Sequence, residues 1–280
     1  MTETPVAPER NIKLTVAYDG TDFLGWQLQR KGRTVQGVMQ DGLGRMHGHP
    51  VHVLAAGRTD SGVHATGQVA NFHTDINSIP PERFRDAVNS FLPHDVRVVA
   101  SQEVGPGFHA RRSARLRVYR YYIVNGPVLL PHLRNYRHWV RRALDLKRLN
   151  EMASVLVGEH DFSCFSAEGD ANVSKVRQVM VSSFHAEGDT LVYTIAASSF
   201  LWKMVRTVIG TFLMLDEQGL GAPELLRIID SRLRSNAGGT APARGLFLER
   251  VLYEEVNGIP APSLEVAEPA PGLREHGVFP

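Results

Sequence analysis

The apolar residues of this chain switch between two periods in a fixed order, and the switch constrains the fold more than any single residue does. Ile12, Leu14, Val16 and Tyr18 alternate with less apolar neighbours, the period-two pattern of a half-buried strand, which stops at Asp19-Gly20. From Val35 the period lengthens. Val35, Val38, Met39, Leu43 and Met46 share one helical face behind Thr34, a suitable N-cap, although Gly37, Gly42 and Gly44 lower the helix propensity. Short strands are predicted around Val51–Ala55 and Gln68–Phe72, flanking a loop AGRTDSGVHATG. Phe84, Ala87, Val88, Phe91 and Leu92 then repeat at helical spacing behind Pro81, and a strand near Val96–Val99 follows.

That order, β-α-β-β-α-β, is the split βαβ arrangement of ferredoxin-like folds, with helices over one face of an antiparallel sheet. The second half repeats it. A strand at Val118–Val124 leads to a helix carrying Leu146, Leu149, Ala153, Leu156 and Val157, closed by Gly158. Strands near Val176–Phe184 and Leu191–Ala196 precede an apolar helix from Leu201 to about Leu215, an extra helix beginning at Pro223, and a strand at Leu246–Tyr253. The expectation is an α+β protein made of two ferredoxin-like halves, 11–106 and 107–255. Their sheets would join edge to edge into a continuous, mostly antiparallel sheet with a central cleft. Residues 1–10 and the Pro-rich 256–280 lack periodicity and are expected to be flexible tails.

Composition narrows the function. No window approaches the ~20 consecutive apolar residues of a membrane span, and the N-terminus carries no apolar leader, so the expected location is cytoplasmic. The single cysteine, Cys164, excludes an intramolecular disulfide and any Cys-rich metal site. His47, His49 and His52 lie close in sequence, but their spacing supports no metal site. Net charge is only +2, yet eleven Lys or Arg lie between Gly107 and Arg148 against one acid, Asp145. Arg111, Arg112, Arg115 and Arg117 open this run, which suits a polyanion such as RNA.

The loop Gly57–Gly62, GRTDSG, joins two predicted strands and holds Arg58 and Asp60 two residues apart on a rim where a rigid scaffold can present them. Its residues are also ordinary turn residues, and it is neither a Walker loop nor a nucleophile elbow. The stretch AGRTDSGVHATGQVANF resembles the signature of the TruA family of pseudouridine synthases. So do YDGTDFLGWQ, TVQGVMQ, FLPHDV, the YRY at Tyr119–Tyr121, GEHDFSCF, FLWKMVR and GLFL, in order over residues 11 to 255.

The resemblance implies the pseudouridine synthase fold and an isomerase that needs no cofactor and no metal. It implies conversion of uridine to pseudouridine at positions 38, 39 and 40 of the tRNA anticodon stem-loop, by a homodimer. Asp60 would be the nucleophile or sugar-activating carboxylate, and Arg206 its ion-pair partner, on a helical stripe with Lys203 and Gly210. Because a stacked uracil must be extruded before it reacts, Tyr119 would lie over the flipped base, Leu246 against its other face, and Arg58 in the vacated space or on a phosphate. Arg111, Arg112 and Lys203 would contact RNA. Two departures from the family pattern, Ser198-Ser199 before Phe200 and Ser166 after Phe165, bear on RNA contacts rather than on Asp60. Two rivals remain at this point. A non-catalytic RNA-binding module would need an RNP1 aromatic pattern, which is missing, and a small-molecule hydrolase would not need the basic segment.

Overall fold

The computed structural model describes residues 9–253, so the expected tail 256–280 and residues 1–8 lie outside the described residues. The first half contains β1 (Arg10–Tyr18), α1 (Val35–His47), β2 (Leu54–Ala55), β3 (His64–Thr74), α2 (Phe84–Asn89) and β4 (Val96–Val104). Its strands lie in the order β4-β1-β3-β2, every neighbouring pair antiparallel. The second half contains β5 (Leu116–Val124), β6 (His138–Trp139), α3 (Leu146–Val155), β7 (Gly158–Asp161), β8 (Val176–Glu187), β9 (Thr190–Ala197), α4 (Met204–Glu217), α5 (Ala222–Ser231) and β10 (Leu246–Leu252). Strands β10-β5-β9-β8 repeat the same order with the same antiparallel pairing. Each half is thus a split βαβ unit with its last strand beside its first.

The halves fuse along β3. Its Ala70 and Asn71 pair with β2, whereas His64 and Ala65, at the start of the strand, pair in parallel with Phe247 and Leu248 of β10. A two-residue β2 leaves enough of the β3 edge open for this second partner, and one sheet runs through the molecule. The seam is stapled by His64, whose ring stacks on Phe247 at 4.6 Å between centroids while Nε2 bonds the Asn135 carbonyl at 3.0 Å. Burial pushes the His64 pKa down, and its Nδ1 accepts the Gly20 N–H.

Several expected boundaries shift. Thr34 does cap α1, its hydroxyl accepting the Gly37 N–H. The second predicted helix is shorter, because Pro81–Arg83 form a 3-10 turn and only Phe84–Asn89 are α-helical. The apolar helix begins at Met204 rather than Leu201, since Lys203 takes a left-handed backbone (φ 60°) that no helix interior accommodates. Lys203 therefore precedes the helix instead of sharing the Arg206–Gly210 stripe. Helix α3 ends at Val155, before the positive-φ Gly158 that opens β7.

Inward positions of the central strands form the core. Tyr119, Tyr121 and Ile123 of β5 face the same way as their partners Leu248, Leu246, Ile195 and Tyr193. Tyr193 meets Phe212 of α4 edge-on at 5.5 Å, so α4 covers this face.

Candidate active site

Loop Gly57–Gly62 is held by backbone and side-chain bonds that involve neither Arg58, which is exposed, nor the Asp60 carboxylate. The Gly57 carbonyl accepts from Gln68 Nε2 (2.9 Å), and the Thr59 hydroxyl pairs with buried Tyr18 (2.8 Å). Burial pushes that Tyr18 phenol up to about 12, against the pull of its bonds to Thr59 and Gln68. The Thr59 carbonyl accepts the Trp26 N–H (3.1 Å), and Ser61 donates to the Phe23 carbonyl (3.2 Å). The preceding segment 19–26 lies directly against the loop. Gly25 adopts φ +92°, and a Cβ there would sit 2.5 Å from the Thr59 carbonyl oxygen, so glycine is needed for both reasons.

The Asp60 side chain meets the second half. Arg206, in the first turn of α4, donates from Nη1 to Asp60 Oδ2 at 2.9 Å; the two side chains are 15% and 18% exposed. Arg206 is itself clamped, its Nε donating to the Ala241 carbonyl (2.8 Å) and its own carbonyl accepting the Ala241 N–H (3.0 Å). The other oxygen, Oδ1, accepts the indole N–H of Trp202 at 3.1 Å. A half-buried carboxylate with a fixed guanidinium thus stands where the two halves meet, an arrangement able to act as a nucleophile or to stabilise developing positive charge.

Tyr119 is 8% exposed, its ring edge-on to Phe200 at 5.1 Å. Burial, then the charges of Tyr18 and Asp60, push its phenol far above the ordinary range against the pull of Arg117, so it stays protonated. Leu246 sits on the same sheet face, opposite Tyr121 and diagonal to Tyr119, which pairs with Leu248. The Tyr119 ring, within electrostatic reach of Asp60, therefore shares its sheet face with the aliphatic Leu246.

The family described as tRNA pseudouridine synthase matches residues 14–111 and 152–254. The chain is 46% identical over 252 residues to the tRNA pseudouridine synthase A of Treponema denticola, covering 88% of this chain and 94% of that one. The protein of the same name from Acetivibrio thermocellus is 41% identical over 244 residues, covering 87% of this chain and all of its own. That from Halalkalibacterium halodurans is 41% identical over 242 residues, covering 86% and 92%.

The chain belongs to the tRNA pseudouridine synthase family. Asp60, Arg58, Arg206, Lys203, Leu246 and Arg111 lie in the matched spans, while Arg112 and Tyr119 fall between them.

The remaining expected site residues of this family member lie on three separate segments. Arg58 is exposed, two residues from Asp60. Lys203 places its ammonium 4.9 Å from the centre of the Trp202 ring. Arg111 and Arg112 are exposed at a turn whose backbone N–H groups both reach His109 Nδ1. The basic segment is a different matter, because five of its eleven cations are buried or half-buried in contacts within the fold. Arg120 pairs with Glu249 at 3.6 Å, Arg137 lies over the Tyr122 ring at 4.0 Å, and Arg142 and Arg148 both engage buried Asp216. Arg117 is the fifth. Buried to 8% exposure, it donates to the carbonyls of Ala56, Arg111, Ala114 and Ser198, tying the root of the Asp60 loop to the Arg111–Ala114 turn and to the segment before α4. Its desolvation draws the guanidinium pKa down.

Sequence reasoning missed Arg117 as a hub and Trp202 as a contact of Asp60. Arg117 had a signal, since it holds an inward position of an alternating strand, in phase with Tyr119 and Tyr121. Trp202 had none beyond its place in FLWKMVR. Of the three neighbouring histidines, His47 bonds Thr74 and the Leu43 carbonyl, His49 reaches Asp75 with its ring 5.6 Å from that of His47, and His52 is exposed. Among the described residues no group of three or more His, Cys, Asp or Glu could hold a metal, and no helix is long and apolar enough to cross a membrane.

Proposed function

We propose that this protein converts uridine to pseudouridine at positions 38, 39 and 40 of the tRNA anticodon stem-loop, with Asp60 as the reacting carboxylate. The supporting observation is the Asp60–Arg206 pair at the junction of the two halves, inside the spans matched by the family. In the reaction the bond from N1 of uracil to C1′ breaks, the base turns over, and C5 bonds to C1′. C5 then loses its proton and N1 gains one, so product and substrate are isomers and no oxidant or energy source is consumed.

The site's residues divide this work. Asp60 either bonds to C1′ or takes a ribose proton, and both routes need a carboxylate of fixed orientation in a site shielded from water. Arg206 supplies the counter-charge and holds Oδ2. Tyr119 and Leu246 present the apolar surface that holds an extruded uracil, and Arg58 occupies the gap in the stem or binds its phosphate. Arg111, Arg112 and Lys203 contact the RNA backbone. The acting form is a homodimer in the cytoplasm, in which one subunit supports the tRNA that the other modifies.

The test is to incubate an unmodified tRNA transcript with pure protein and map pseudouridine by chemical labelling. Label confined to positions 38, 39 and 40 is the expected result; label elsewhere would reassign the target, and none at all would end the proposal.

A further inference from the structure

Trp202 stands outside the roles assigned so far, yet it touches the reacting group. A single donor leaves a carboxylate free to turn, because the terminal torsion of Asp is broad and roughly two-fold. Arg206 alone would fix Oδ2 and leave the plane of the Asp60 carboxyl to rotate about it. The Trp202 indole N–H on Oδ1, 3.1 Å away, supplies the second point that defines this plane. Indole is a donor only and does not titrate, so it orients the carboxylate without competing for its proton.

The indole is itself held by its backbone. The Trp202 N–H donates to Asp170 Oδ2 at 2.6 Å, and the Trp202 carbonyl accepts the Ala167 N–H at 2.9 Å. Asp170 is fixed in turn. Although desolvation pushes its pKa up, the N–H groups of Asn172 and Trp202 and the side chains of Asn172 and Lys175 bring it far below the usual carboxylate range. The next residue, Lys203, takes the left-handed backbone that turns the chain into α4 and keeps Trp202 off the helix. Trp202 remains 48% exposed, so burial of its ring does not account for this anchoring.

We propose that Trp202 is a positioning residue of the reaction: its indole N–H, braced by Asp170, sets the orientation in which Asp60 meets the ribose. The inference rests on Asp60 being the reacting carboxylate. The experiment compares Trp202→Phe, which keeps a ring and loses the donor, with Trp202→His, which restores a ring N–H, and with Asp60→Asn. Each variant is assayed for single-turnover pseudouridine formation and for affinity toward an unmodified tRNA transcript. A lost hydrogen bond to a charged acceptor should slow the Phe variant by about tenfold to a hundredfold at saturating enzyme. Its RNA affinity should stay within about twofold, and the His variant should recover part of the rate. A Phe variant as fast as wild type would overturn the proposal. So would equal losses in Phe and His, or a Phe defect confined to affinity, which would make Trp202 a stacking platform. Activity surviving in Asp60→Asn would instead remove the assignment of Asp60 on which this one depends.

Discussion

At the residue scale the central feature is a carboxylate and a guanidinium brought together from positions 146 residues apart in the chain. A partly buried pair of this kind is costly to break from one side, since the surviving partner keeps its desolvation cost. The Arg206 fork is divided, with Nη1 on Asp60 and Nε on the Ala241 carbonyl, and a single ammonium cannot span both. Arg206→Met should therefore lower single-turnover pseudouridine formation by about a hundredfold or more, and Arg206→Lys should recover only part of it. A fully active Met variant would reduce Arg206 to a structural bond with the 237–241 segment. Tyr119 carries a second expectation. If its ring is the platform for the extruded base, Tyr119→Ala loses about 1–3 kcal/mol of stacking while Tyr119→Phe keeps it. A Phe variant that binds RNA normally but stalls before product release would make the protonated phenol a relay, taking up the C5 proton as its own O–H proton passes on; wild-type rates in a folded Ala variant would take Tyr119 out of the site.

At the scale of elements, the site depends on how closely α4 approaches the segment that carries Ala241. A Cβ at Gly210 would lie 1.7 Å from the Gly239 carbonyl oxygen, a clash with backbone that no side-chain adjustment relieves. Gly210→Ala should cost about 3 kcal/mol or more, lowering the melting temperature by about 6–10 °C, and should slow catalysis in the molecules that remain folded because Ala241 moves with Gly239. An unchanged melt would mean that the two segments separate easily. Alternation along β1, the apolar segments of β5, β8, β9 and β10 and the helical faces of α1, α3 and α4 are sustained patterns, so the strand–helix order of both halves was visible in the sequence. Strands β2, β6 and β7 are two, two and four residues long, too short for a period to register, and β6 and β7 went unpredicted. The start of α4 was misplaced because apolar Leu201 continues the helical face, while the left-handed Lys203 that interrupts it leaves no mark in a hydropathy pattern. Asp60 and Arg206 were named because motifs carry them; the contact of Trp202 with Asp60 arises only when two distant loops are folded together.

At the scale of the whole molecule, charge along the chain and charge in space differ. Eleven basic residues between Gly107 and Arg148 looked like one RNA-binding run, but five of them are buried or half-buried against carbonyls, rings or acids within the fold. Arg111, Arg112, Arg115, Arg134, Arg141 and Lys147 are the six classed as exposed, although Arg134 bonds the Pro131 carbonyl and Arg141 lies over the Trp139 ring. If those six neutralise phosphates, the logarithm of the tRNA association constant should fall with the logarithm of salt concentration at a slope of about −5. The division predicts opposite behaviour from two kinds of variant. Converting both Arg111 and Arg112 to Gln should weaken binding and flatten the slope by about 2, with the melting temperature unchanged, because each lost phosphate contact returns about one counterion. Arg142→Gln should leave the slope alone and lower the melting temperature, since it strands buried Asp216 beside a weaker partner. Titrations of tRNA between about 50 and 200 mM salt, paired with thermal melts, separate the two outcomes. A slope near zero in the wild-type protein would show that the exposed cations do not dock the RNA.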